Sequence, residues 1–92
     1  RKPTETNALA LNVAPNPFAG NTTAEFYLEQ SADVQVMVAD ATGRVVFQKD
    51  MPGLPSGKNG LDLDKAIFPA KGAYFLTVRA GSEMSVRPMI CY

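Results

Sequence analysis

The residues that could do chemistry are few. The 92 residues include no histidine, and Cys91 is the only cysteine. A Ser-His-Asp or Cys-His arrangement is therefore impossible, as are an internal disulfide and a Cys/His zinc cluster. Ser31, Ser56, Ser82 and Ser85 have no imidazole to activate them, and no Ser-x-x-Lys spacing supplies a lysine instead. No catalytic residue and no cofactor are expected.

The remaining candidates each have a plain reading. Asp62 and Asp64 stand at i and i+2, so a strand would put both carboxylates on one face. Such a pair could hold calcium or work as acid and base. Leu61 and Leu63 alternate with them and no third acid is close in sequence, so a solvated strand face is favoured and no metal is expected. Only the fold could bring Asp33, Asp40 or Asp50 to them. Asn21-Thr22-Thr23 fits a glycosylation acceptor, but a turn residue followed by two β-branched residues explains it equally well. Cys91 reads as a strand residue, since a prenylated cysteine would stand four from the end. Lys65, Lys71, Arg79 and Arg87 could line a groove for an anionic partner. They are dispersed, however, and nine basic residues cancel nine acidic ones. That balance argues for solvated surface and against a nucleic-acid face.

The elements that must carry these residues have period two. A chain of 92 residues, 46% hydrophobic, makes one domain with one core. Leu9, Leu11 and Val13 alternate with smaller or polar residues, as do Ala24, Phe26 and Leu28, then Val34, Val36 and Val38. Asp40-Ala41-Thr42-Gly43 is the clearest hairpin signal, and it returns Val45 and Phe47 against the third strand. Met51 to Lys58 holds two prolines and two glycines and reads as a loop. Leu61 and Leu63 mark a fifth strand. Lys65 to Gly72 is a crossover anchored by Ile67 or Phe68. Tyr74, Leu76 and Val78 mark the sixth strand, and a last one runs from Met84 and Val86 towards Ile90. About seven short strands with no helical period predict an all-β, Ig-like antiparallel β-sandwich. Tyr74, near the start of the sixth strand, is placed to tie a sandwich corner through its hydroxyl. No apolar run reaches the roughly 20 residues that cross a bilayer. Residues 1–8 are set apart as linker or vector residue, with the sandwich over 9–92.

Four segments carry a family resemblance. They are Leu11-Asn12-Val13-Ala14-Pro15-Asn16-Pro17-Phe18, then Val36 to Val46 around the Asp40–Gly43 turn. Asn59-Gly60-Leu61-Asp62-Leu63 with Lys71-Gly72-Ala73-Tyr74-Phe75-Leu76-Thr77-Val78 is the third, and the strand after Gly81 is the fourth. In order and spacing they resemble the type IX secretion system C-terminal sorting domain of the Bacteroidota. The motif residues matched are Pro15, Asn16, Pro17, Asp40, Gly43, Gly72 and Tyr74. The family commonly finishes with a lysine among apolar residues, whereas this sequence has Arg87-Pro88-Met89-Ile90-Cys91-Tyr92.

The resemblance implies an address appended to a cargo protein and without catalysis of its own. It implies transit through the periplasm, then recognition by an outer-membrane translocon and delivery to the cell surface or outside. Removal by a cell-surface sortase and transfer to an anionic lipopolysaccharide would follow. Recognition is expected at the last strand, through Met84, Val86, Arg87, Met89, Ile90 and Tyr92, because an edge strand accepts a partner's strand by main-chain bonding. Edge pairing could equally join two copies in a homodimer. Two rivals compete with this reading. A carbohydrate- or surface-binding module would gather Phe18, Tyr27, Phe68 and Phe75 along a groove, and a purely structural spacer would leave a fused reporter unsorted.

Overall fold

Alternating apolar residues bury one face of each strand, and the way the strands pair decides which faces meet. The computed structural model describes residues 9–92. The segment 1–8, read as linker or vector residue, lies outside the described residues. Seven strands follow in order: β1 (Asn12–Ala14), β2 (Thr22–Leu28), β3 (Ala32–Asp40), β4 (Val45–Leu54), β5 (Gly57–Leu63), β6 (Gly72–Ala80) and β7 (Glu83–Cys91). One 3₁₀ turn, Lys65–Ile67, lies between β5 and β6. Among the described residues no helix is long and apolar enough to cross a membrane.

The strands form two antiparallel sheets, ordered β1-β2-β5 and β4-β3-β6-β7. β2 with β5 in one sheet and β3 with β6 in the other is the arrangement of the B/E and C/F pairs of an Ig sandwich. The inward residues of both sheets meet in one core. Leu9, Leu11, Val13, Ala24, Phe26 and Leu28 come from one side, with Val34, Val36, Val38, Leu76 and Val78 from the other. Their alternation marked the strands in the sequence, with one correction: Leu9 and Leu11 precede β1, because Ala10 between them has φ +51° and breaks the extended backbone, so the first strand begins at Asn12.

Two local features show how the chain turns its corners. At the β3–β4 hairpin the Gly43 N–H donates to the Asp40 carbonyl at 2.9 Å. Gly43 has φ +93°, a conformation that favours glycine. At the other corner the Tyr74 hydroxyl donates to the Ala70 carbonyl and accepts from the Ala70 N–H at 3.2 Å. This is the corner-tying role expected of Tyr74. Ala70 is exposed, so water replaces the lost bonds in a Tyr74→Phe variant. That variant is expected to lose about 1 kcal/mol and to melt roughly 4–8 °C lower by calorimetry.

The loop expected over Met51–Lys58 is corrected by the structure. β4 continues through Leu54 and β5 begins at Gly57. Ala32 pairs with Leu54 and Val34 with Met51, so a register shift at Asp33 absorbs the Pro52-Gly53 pair. The Gly53 N–H donates to the Asp33 carboxylate at 2.8 Å. β4 is an edge strand, where a proline costs no ladder bond if it faces outward. In the crossover, Phe68 is buried and Ile67 only partly so, which makes Phe68 the anchor.

Candidate functional site

β7 pairs with β6 in unbroken register, from Ala80 opposite Glu83 to Gly72 opposite Cys91. It is an edge of its sheet. Side chains alternate along it: Ser85, Met89 and Cys91 are buried, while Met84, Val86 and Ile90 face outward. The backbone alternates too. The Ile90 N–H and C=O point away from β6, because they bond to Asn16 and Phe18. By the two-residue period of an antiparallel ladder, those of Met84 and Val86 and the carbonyl of Pro88 point the same way. Pro88 thus falls where β6 requires no N–H.

The Pro15-Asn16-Pro17-Phe18 segment lies against the second half of this edge. The peptide bonds before both prolines are cis. The Asn16 Nδ2 donates to the Pro88 carbonyl at 2.9 Å, and the Ile90 N–H donates to the Asn16 Oδ1 at 3.1 Å. One side-chain carboxamide therefore fills the place of a peptide group on a neighbouring strand. Phe18 continues the pairing in a parallel bridge to Cys91: its N–H donates to Ile90 and its carbonyl accepts from the Tyr92 N–H, both at 2.9 Å. Nearby, the Leu9 N–H donates to the buried Ser85 hydroxyl, and the Arg87 Nε donates to the Leu11 carbonyl, each at 3.0 Å. The edge is closed from Pro88 to Tyr92. The outward backbone groups of Met84 and Val86 have no partner among the described residues.

The six residues expected to meet a partner divide accordingly. Met84, Val86, Ile90 and Tyr92 are between 43 and 64% exposed. Met89 is fully buried, a correction to its expected role as a contact: it shares the inward parity of Ser85 and Cys91. Arg87 has the same parity, and it reaches Leu11 from the open margin of the sandwich. Phe75, placed in the sequence among the sugar-binding aromatics, belongs with the outward set. It is 43% exposed opposite Pro88, and Thr77 and Ala73 on either side of it face Val86 and Ile90. Phe75, Val86 and Ile90 are thus diagonal neighbours on one sheet face. The seat of Asn16 on β7 carries no local signal, since the two lie 72 and 74 positions apart.

A model of the secretion system C-terminal sorting domain matches residues 12–91. The chain belongs to that family. The domain is a C-terminal sorting signal for type IX secretion, directing export to the cell surface or secretion and engaging the secretion machinery. No curated protein sequence matches the chain. Among solved structures, the Ig1 domain of mouse SynCAM 2 is similar at 8% identity and a TM-score of 0.45, covering 83% of this chain and 87% of that one.

In the sorting domain Asp62, Asp64 and Asn21 are taken up by contacts within the fold. The Asp62 carboxylate accepts from the Thr23 hydroxyl at 3.0 Å, and the Asp64 side chain caps the 3₁₀ turn through the Ala66 N–H. The Asn21 side-chain oxygen accepts from the Lys65 N–H at 3.1 Å. Phe18 and Phe68 lie in the core, while Tyr27 and Phe75 are exposed on different sheets. The four aromatics therefore line no common groove, which corrects the geometry expected of a carbohydrate-binding module.

Asp40 binds its own hairpin. Its carboxylate accepts from the Thr42 hydroxyl at 2.6 Å, the Thr42 N–H at 2.9 Å and the Arg44 N–H at 3.0 Å. The Thr42 hydroxyl first, then these N–H groups and the Arg44 charge, hold its carboxyl below the usual value of 3.8. A depressed folded value favours the folded state above 3.8 and loses that contribution as pH falls through the folded value. An Asp40→Asn variant is expected to be less stable than the parent at neutral pH. The gap should close as the pH drops below 3.8, measured by denaturant unfolding at a series of pH values.

Proposed function

We propose that β7 is the part of the sorting domain that an outer-membrane translocon reads. The attached protein reaches the periplasm by its own route, the translocon engages the domain there, and the cargo moves to the cell surface. A surface sortase then removes the domain and joins the cargo to an anionic lipopolysaccharide. The domain supplies recognition and no catalysis. The observation that supports this reading is the position of β7: an edge strand whose outward face carries Met84, Val86 and Ile90 beside Phe75. Exposed apolar side chains next to an open strand edge are what strand addition uses, main-chain bonds giving affinity and alternate side chains selectivity.

The test is residues 1–92 fused to an exported fluorescent reporter, in a host with type IX secretion and in one lacking its translocon. The fusion is expected at the surface only in the first, with a mass shift marking removal of the domain. Retention in the periplasm of the competent host would overturn the proposal. Deleting residues 84–92 is a poorer test, because it also removes Ser85, Met89 and Cys91 from the buried interior.

A further inference from the structure

We infer that the edge open to a partner is short: it comprises the outward backbone of Met84 and Val86, and it admits one extended segment that must end or turn away at Pro88. The inference rests on the sorting role proposed above and specifies the surface through which it works. Three observations define it. From Pro88 to Tyr92 the outward groups already bond to Asn16 and Phe18. That half is firmly held, because Phe18 is only 1% exposed and stacks edge-on against Phe68 at 4.8 Å. Pro88 itself has no N–H to offer. Met84 and Val86 retain two N–H and two C=O groups aimed outward, with no partner among the described residues.

The chemistry of these groups names the occupant. Donors and acceptors repeating every second residue along a strand edge are matched by the backbone of another extended chain. Four main-chain bonds fill the two-residue stretch. The incoming segment would set alternate side chains level with Met84 and Val86 on the outer face, where exposed apolar groups favour an apolar partner residue. Phe75 and Ile90 continue that face beyond the point where strand pairing stops.

Proline offers a test that leaves the ladder to β6 intact. A Val86→Pro change removes an N–H that β6 does not use and puts a ring in the path of an added strand, as Pro88 does two residues on. Val86→Thr keeps the N–H and the branched shape. In the 1–92 reporter fusion, Val86→Pro is expected to cut surface display about tenfold, the equivalent of roughly one or two lost bonds. Val86→Thr, which gives up apolar outer surface but keeps the N–H, should lose less display than Val86→Pro. Thermal unfolding of each fusion reports whether the sandwich is intact. Hydrogen exchange on the parent fusion needs no variant: the Met84 and Val86 amides should exchange fast and the Ile90 amide slowly. A parent fusion that is not displayed overturns the sorting role itself. A displayed parent with an equally displayed Val86→Pro fusion overturns the short open edge alone. So does protection of the Met84 and Val86 amides equal to that of Ile90.

Discussion

Replacing Phe18 with alanine is expected to destabilise the domain by about 3–5 kcal/mol. Domains of this kind are stable by only about 5–15 kcal/mol in total. The melting temperature should fall on the order of 15–30 °C. The effect is large because Phe18 joins three parts of the molecule. Its ring packs edge-on against Phe68 of the crossover, which in turn packs edge-on against Tyr74 of β6 at 5.0 Å. Its backbone brackets Cys91 at the end of β7. Alanine keeps the backbone bonds and leaves a cavity where the ring was. Hydrogen exchange should therefore show faster opening at Ile90 and Tyr92 as well as loss of global stability. A melting temperature within a few degrees of the parent would mean that Phe18 is not an anchor of the fold.

The path of Phe18 shows where sequence reading ends. The inward residues of β2, β3 and β6 were legible because alternation is a local property: each apolar residue has its partner two positions away. The Asp40–Gly43 hairpin and the Tyr74 corner were legible for the same reason, since donors and acceptors lie within four positions. Phe18 was not, because one aromatic after two prolines has no period, and its contacts are set by β7 more than 70 positions later. Asn16 is the same case. It matched a family motif, but its amide could not be paired with β7 without knowing which strand lies alongside. The Met51–Lys58 segment failed differently. Proline and glycine report what the local backbone prefers, and an edge strand with a register shift accepts both.

The arrangement also relates the two ends of the family resemblance. The Pro15-Asn16-Pro17 motif and the final strand are the first and last segments of the match, and they are in direct contact. Closing half of an edge with a side-chain amide limits edge-to-edge pairing between copies, a hazard for any long exposed strand. It also fixes the register of β7 at its far end, so Met84, Val86 and Ile90 are held outward. A slip by one residue would bury these three and expose Met89 and Cys91.

That register makes opposite predictions for two adjacent residues. Met89→Ala is expected to lose about 2–5 kcal/mol, since a fully buried side chain leaves a cavity in the core. Its effect on sorting should follow the loss of folded protein and no more. Ile90→Thr should change stability by about 0.5 kcal/mol or less, as an outward, β-branched substitution at an exposed position. If the outer face beside Phe75 is part of what the translocon reads, Ile90→Thr lowers surface display of the reporter fusion without moving its melting temperature. Denaturant unfolding and surface display measured on both variants separate the two effects. Equal destabilisation of the pair would show that β7 does not keep the strict alternation on which its outward face depends. The same unfolding with no loss of display for Ile90→Thr would place recognition on the backbone edge alone, with Met84 and Val86 carrying it.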